Sequence, residues 1–412
     1  MDIKEIANMI KNEGGRLYLV GGAVRDSLLG KEVHDEDYCV VGIDSEKFKQ
    51  LFKDAHTRGK SFEVYDIDGN EFAMARREMK SGIGHKEFEI EIGKHISIEE
   101  DLKRRDITIN AMAKDVLTGE IIDPYNGKND LEQRIIRATS EAFIEDPLRV
   151  YRVARFAAML GFDVDKDTIK MMEKLKEELK TLSAERVFTE FKKALGANKP
   201  SIFFKVLREA NVLGVHFKEI YDLIGSMQPI EHHPEGDSYN HTMIVLDNSA
   251  MLTDDIMIRF CALIHDLGKG TTPMHIRPHH YGHEDRGVKL VENLGKRLKI
   301  PNSWIKCGKV TAKEHMRGGI FNRMSVTKKV DFITRVDKSI LGLDGMEIIV
   351  KCDRNRWGEF PKDIVFAKIG KEMIKIINGK YIKEKYNIID EKIVGDLIRQ
   401  ERIKWYKENV EQ

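Results

Sequence analysis

The stretch Leu17 to Val41, LYLVGGAVRDSLLGKEVHDEDYCVV, constrains this chain more than any other. The apolar run Leu17-Tyr18-Leu19-Val20 reads as a buried strand. Gly21-Gly22 ends it, and Ala23 to Leu29 reads as a helix closed by Gly30. A Gly-Gly turn feeding a helix N-terminus aims backbone N–H groups outward, which suits a phosphate chain, and Arg25 adds a fixed positive charge. Asp35 and Asp37 then stand two apart before the strand-like Tyr38-Cys39-Val40-Val41. Residues two apart on a strand share a face, so both carboxylates can hold the same metal ions. Hard oxygen ligands beside a phosphate cradle imply Mg²⁺ and a nucleoside triphosphate.

At 412 residues the chain exceeds one ordinary core and implies about two to four domains. Charged residues make up 33% and proline only 9 positions, the composition of a soluble, helix-rich protein. No stretch approaches the ~20 apolar residues of a membrane span. The opening MDIKEIANMIKNEGG is an amphipathic helix with acidic residues, unlike a signal or transit peptide. Cys39, Cys261, Cys307 and Cys352 lack Cys-x-x-Cys spacing, which points to a reducing compartment, the cytoplasm, and away from a cysteine zinc site. Net charge is only +1, so nucleic-acid contact must come from local basic faces such as Lys166–Lys199 and Lys371–Lys407.

Residues 1 to about 138 alternate strand-like runs (Leu17–Val20, Tyr38–Val41, Phe62–Ile67, Glu71–Ala75, Phe88–Ile92, Glu120–Ile122) with a few helices, an α+β head with a mixed sheet. From about 140 onward the apolar spacing is helical and no convincing strand follows. The expected division is a head over 1–138, a helical neck over 139–227, a histidine-rich domain over 228–360 and a Lys/Ile-rich helical tail over 361–412.

Three further segments carry chemistry. Arg104-Arg105-Asp106 sets two guanidinium groups suited to phosphate beside a carboxylate that can hold Arg25 or Arg105, or reach the metals. Arg76, Arg77, Lys80, Gly82 and Gly84 form a basic, glycine-hinged segment of the kind that closes over a nucleotide. In Glu145-Asp146-Pro147-Leu148-Arg149, Asp146 suits a helix N-cap and Pro147 the first helical position. Alternatively Asp146 and Arg149 share a helix face, accepting from the exocyclic amine of C or A and donating to the adjacent ring acceptor. Arg152 and Arg155 continue along the same helix toward a nucleotide or RNA channel.

Eight of the 14 histidines fall between His232 and His283. His241, His265-Asp266 and the distant Asp353 form an imidazole–carboxylate set that suits Mn, Ni, Fe, Co or Zn better than Mg. His280, His283 and His315 are candidates to extend it to a second metal.

Gly21-Gly22-Ala23-Val24-Arg25-Asp26 followed by Asp35-Glu36-Asp37, with the RRD and EDxxR segments, resembles the signature of the class II tRNA nucleotidyltransferases. That family includes CCA-adding enzymes and bacterial poly(A) polymerases. The H…HD…D series resembles the HD phosphohydrolase domain. The resemblance implies an enzyme that adds C, C and A to the 3′ end of tRNA from CTP and ATP. Asp35, Asp37 and Arg105 are then catalytic, with Mg²⁺ on the two aspartates. Gly21, Gly22, Arg25, Arg105, Asp146, Arg149, Arg152 and Arg155 bind nucleotide. His241, His265, Asp266 and Asp353 hold Ni²⁺, Mn²⁺ or Co²⁺ for 2′,3′-cyclic phosphodiesterase, 2′-nucleotidase and phosphatase work. A partial CC- or A-adding enzyme, a poly(A) polymerase, or an HD hydrolase with an RNA-binding head are the alternatives. A monomer or a homodimer, away from membranes, is expected.

Overall fold

Apolar residues alternate through the first two strands, and that alternation decides the architecture of the N-terminal half. In β1 (Arg16–Val20), Leu17 and Leu19 enter one core while Tyr18 and Val20 enter another. In β2 (Asp37–Val41), Tyr38 and Val40 join the first core and Cys39 the second. Both faces of the sheet are therefore buried, as the two-residue period requires. Helices Ile3–Asn12 and Ser45–Leu51 cover one face through Ile6, Ile10 and Phe48; helix Ile98–Lys103 covers the other through Ile98 and Leu102. Full burial of a side chain such as Phe48 or Phe72 stabilises the head by about 1.5–3 kcal/mol each.

The computed structural model describes all residues except 34, 59–63, 81–87, 232, 356–358, 388–390 and 412. Two compact units emerge: Met1–Glu190 with Ile202–Val215, and Phe191–Ser201 with His216–Gln412.

The sheet of the first unit also contains β3 (His56–Arg58), β4 (Val64–Ile67) and β5 (Asn70–Met74), while β6 (Arg76–Lys80) and β7 (Phe88–Ile92) pair apart as a hairpin. With β8 (Ala113–Asp115) and β9 (Ile121–Ile122) the order is β3-β4-β5-β2-β1-β8-β9. Only β2 and β5 run parallel, so the sheet is mixed, as expected from the sequence. β3, β6 and β8 were not anticipated; their apolar alternation is too short or too interrupted by charge to register. The expectation of no strand beyond residue 140 also needs correcting, because Asp163–Val164 pairs in parallel with Ile135–Ile136.

In the second unit, helix Ser238–Leu252 packs on Ile256–Ile264 and Gly342–Asp353, and His283–Arg297 packs on Asn302–Gly319. The tail helices Phe366–Ile376, Gly379–Tyr386 and Glu391–Asn409 belong to this unit. The last one lies along Val326–Asp337, where Arg399 donates twice to Asp331 at 2.7 and 2.9 Å. Among the described residues no helix is long and apolar enough to cross a membrane.

Candidate nucleotide and metal sites

Antiparallel register sets Val20 opposite Asp37, so the glycine turn after β1 and the start of β2 lie at one end of the sheet. Helix Gly22–Leu28 begins there, one residue before its expected start, and Gly21 adopts φ +72°. A Cβ on Gly21 would meet Arg105 Nη1 at 2.7 Å, so glycine both permits the backbone turn and lets this guanidinium approach it. Asp37 opens β2 and Asp35 precedes it in the loop, both exposed. The shared strand face expected for the pair is thus replaced by a loop-to-strand step. Both carboxylates remain oxygen donors of the kind Mg²⁺ prefers.

The arginines of this site are held by partners different from those anticipated. Arg25, nearly buried, donates to Asp26 at 2.9 and 2.8 Å and to Asn110 Oδ1 at 2.6 Å. Asp101, 1% exposed, accepts from Arg104 at 2.9 Å and from Arg105 at 3.3 Å. Asp106 holds neither Arg25 nor Arg105: it accepts from Arg152 Nε at 2.6 Å and from its neighbour's N–H. Burial opposes the charge on Asp101 and Asp106, yet Arg104 with Arg105, and Arg152 with Arg149, outweigh it and hold both carboxyls below the usual range. Arg105 Nε is buried and has no hydrogen-bond partner among the described residues.

Helix Leu148–Leu160 carries the remaining set. Arg155 pairs with buried Glu190 at 2.5 Å. Arg25, Arg152 and Arg155 gather around the Phe156 ring, with guanidinium carbons 5.4, 5.6 and 3.9 Å from its centroid. Asp146 and Arg149 do not present one shared helix face, because Asp146 lies before the helix in extended conformation. Its carboxylate accepts from Leu148 N at 3.0 Å and from Arg186 at 3.3 Å, a capping role one position off the expected register. Arg149, buried, donates to the Arg104 carbonyl at 2.6 Å and to that of Ala142. In the basic segment, Arg77 is engaged by Glu91 and Glu100. Gly82, Gly84 and the Lys80 side chain lie outside the described residues.

The histidine cluster assembles at the ends of four helices and the middle of a fifth. His241 comes from Ser238–Leu252, His265 and Asp266 follow Ile256–Ile264, His283 opens its helix, His315 sits inside Asn302–Gly319, and Asp353 closes Gly342–Asp353. His241 Nε2 lies 2.9 Å from Asp353 Oδ1, and His265 Nε2 lies 3.2 Å from Asp266 Oδ2. Asp266 Oδ1 faces His283 Nε2 at 3.2 Å and His315 Nε2 at 3.3 Å. Beside the outer group His233/Glu235/His241, two inner donor triads result, His241/His265/Asp353 and Asp266/His283/His315. Asp266 stands between them, one oxygen toward each side.

Every Nδ1 in the cluster is engaged outward. His265 donates to the Ala262 carbonyl at 2.7 Å, His283 to His280 at 2.8 Å, and His315 to Thr311 and Ala312 at 3.1 Å. His241 Nδ1 meets Glu235 Oε1 at 2.7 Å. Such outer contacts fix the tautomer that turns each Nε2 lone pair inward, as metal-ligating imidazoles require. Among the described residues His265 Nε2 and Asp266 Oδ1 find no well-aligned hydrogen bond despite their burial, so the cluster fits a cation better than a proton network. Burial opposes charge on Asp266 and Asp353, but Lys269 beside Asp266 and the imidazoles beside both hold these carboxyls well below the usual range. Imidazole donors favour a first-row transition ion over Mg²⁺.

His280 stands outside both triads, bound to Thr272 Oγ1 at 2.8 Å and the Met227 carbonyl at 3.0 Å; burial lowers it to about 4. Its expected metal role is replaced by a structural one. Residues that sequence reasoning missed include Asp101, Asn110, Phe156, Glu235 and the Gln228–Lys269 pair, in which Lys269 donates to Gln228 Oε1 at 2.6 Å. Gln228 Nε2 is buried without a partner among the described residues, and Gln228 lines the cavity beside the histidine cluster.

Residues 17–137 match the Poly A polymerase head domain, 161–223 the "Probable RNA and SrmB- binding site of polymerase A", and 238–338 the HD domain. The Multifunctional CCA protein of Haemophilus influenzae (strain PittGG) is 47% identical over 313 residues, 73% of this chain and 74% of that protein. The chain belongs to the family of multifunctional CCA proteins. Solved CCA-adding enzymes share the fold of this family member. An apo form covers 98% of this chain and 92% of its own at TM-score 0.67 and 20% identity. The Thermotoga maritima CCA-adding enzyme complexed with tRNA covers 100% and 93% at TM-score 0.65 and 18% identity.

Proposed function

We propose that this chain adds C, C and A to the 3′ end of tRNA from CTP and ATP without a nucleic-acid template. The observation that carries the reading is the meeting of the Gly21 turn, Arg105, Arg25 and the β2 carboxylates at one end of the head sheet. The head is taken as residues 1–138, the neck as 139–227, the HD domain as 228–360 and the tail as 361–412, in the cytoplasm. Gly21 and Gly22 offer main-chain N–H groups, and Arg25 and Arg105 guanidinium groups, to the triphosphate. Asp35 and Asp37 would hold Mg²⁺, which when bound activates the tRNA 3′-hydroxyl and neutralises the departing pyrophosphate. Arg152 and Arg155 line the nucleotide channel beside Phe156. Asp146 and Arg149 select C or A, Arg149 exchanging its carbonyl partners for the base edge.

In the HD domain, His241, His265, Asp266 and Asp353, joined by His283 and His315, hold Ni²⁺, Mn²⁺ or Co²⁺. The chemistry proposed there is hydrolysis of 2′,3′-cyclic and 2′-phosphates, with Gln228 and Lys269 beside the phosphate oxygens. A cyclic phosphate blocks 3′ extension, so removal of the block and rebuilding of the end are complementary tasks.

Extension of tRNA lacking its 3′ end, with Mg²⁺ and CTP, ATP or both, tests the first activity on a sequencing gel. Two additions with CTP and a third once ATP joins are expected. Arrest after two would assign a CC-adding enzyme, a long A ladder a poly(A) polymerase, and no product would leave only hydrolysis.

A further inference from the structure

We propose that a basic cleft beside the HD centre is a track for single-stranded RNA, so that this centre acts on the 3′ end of an RNA strand in preference to free nucleotides. The proposal rests on the hydrolase reading for the chemistry at the centre and on separate geometry for the strand.

The cavity over the metal ligands measures about 1300 Å³, far more than a terminal phosphate fills, and Arg323 forms part of its wall. The same Arg323 lines a second cavity of about 460 Å³, together with Arg317, Lys328, Arg335 and Asp331. The charges of this cleft are not balanced. Glu314, 6% exposed, is shared by Arg317 at 2.9 Å and Arg335 at 3.0 Å, one carboxylate against two guanidiniums. Asp331 is taken by Arg399. Arg323 and Lys328 are exposed and make no ion pair among the described residues. A polyanion leaving the larger cavity past Arg323 therefore enters a surface with surplus positive charge.

The rim of the larger cavity supplies the second element. His279 and Tyr281, both exposed, stack with centroids 5.6 Å apart and planes 20° apart. An exposed planar pair on the rim of a cavity that Arg323 also lines matches what unpaired bases and their phosphates require, whereas a duplex keeps its base faces covered. A mononucleotide reaches only the cavity; a strand reaches the cavity and the cleft.

The test compares uridine 2′,3′-cyclic phosphate with an oligouridylate of about eight nucleotides ending in the same group, using the full chain loaded with Ni²⁺, Mn²⁺ or Co²⁺. At low salt, kcat/KM is expected to favour the oligomer by about tenfold or more, an advantage that shrinks steeply as salt rises. Ser325 and Lys328 are exposed, and Ser325 makes no side-chain cap, so Ser325→Glu/Lys328→Glu cancels the cleft's surplus positive charge without disturbing the core. This variant should lose most of the oligomer advantage and keep mononucleotide hydrolysis. Equal kcat/KM for the two substrates, an unchanged preference in the variant, or equal loss on both would overturn the proposal. If neither substrate is cleaved, the hydrolase reading fails, and photo-crosslinking of a thiouridine-bearing oligomer decides the track. Adducts within residues 317–335 support it, and adducts confined elsewhere overturn it.

Discussion

Asp35 and Glu235 are carboxylates with opposite kinds of work. Asp35 is exposed and, on the proposed reading, offers its oxygens to a cation, so Asp35→Ala is expected to abolish nucleotide addition while sparing HD-site hydrolysis. Parallel assays on one preparation check this, and equal loss of both activities would refute two separate sites. Glu235 touches no proposed substrate; it orients His241 through Nδ1. Glu235→Gln should weaken transition-metal affinity about 10–100-fold, read by chelator competition, with the circular dichroism unchanged. For base choice, Asp146→Asn should relax discrimination against GTP and UTP in single-nucleotide incorporation; a retained CTP/ATP preference would leave Asp146 only its capping role. At this scale the candidate metal-binding residues were legible and their supports were not. His241, His265 and Asp266 declare themselves by type and clustering, and the structure brings them together with Asp353. Asp101 and Asn110 look ordinary in sequence, because what matters is which buried arginine each one meets.

At the level of elements, one buried ion pair and one glycine fix where the functional helices sit. Arg155 and Glu190, 8% and 6% exposed, join helix Leu148–Leu160 to the end of the first unit. Glu190→Gln leaves Arg155 buried without its counter-charge and is expected to destabilise that unit by about 3–5 kcal/mol. The double variant Arg155→Met/Glu190→Leu should cost less, and urea denaturation of all the variants measures the coupling. Gly268, in the turn after Asp266, is the second case. A Cβ there would lie 1.9 Å from the His283 carbonyl, so Gly268→Ala pushes away the helix that presents His283 and should lower metal affinity and Tm together. Periodicity showed Leu17–Val20 as a buried strand and the turn to helical spacing beyond about residue 140. It did not reveal β3, β8 or the two-residue strand at Asp163, whose existence depends on pairing across the chain rather than on local pattern.

Across the whole molecule, the two units should answer to different conditions. Ni²⁺, Mn²⁺ or Co²⁺ is expected to raise the melting transition of the His216–Gln412 unit alone, and EDTA to reverse it, since a ligand stabilises only the unit that binds it. Differential scanning calorimetry with each unit's transition assigned by limited proteolysis checks this; a shift of both transitions would contradict it. Acid should weaken the head through its buried ion pairs. Asp101 and Asp106 have folded-state pKa values below those of the unfolded chain. Their stabilisation is whole above about pH 5 and is lost as pH falls through the depressed values. Urea midpoints between pH 7 and pH 3 measure the loss, and Asp106→Asn should flatten the profile. The arginines around Phe156 carry a kinetic consequence. Arg25, Arg152 and Arg155 each already hold a carboxylate, Asp26, Asp106 and Glu190 in turn. On the proposed reading, an incoming triphosphate exchanges ion pairs instead of meeting bare charge, and its net grip is the difference between two similar energies. A short residence time follows, and a site that must empty and refill with a different nucleotide before releasing its RNA works faster for it.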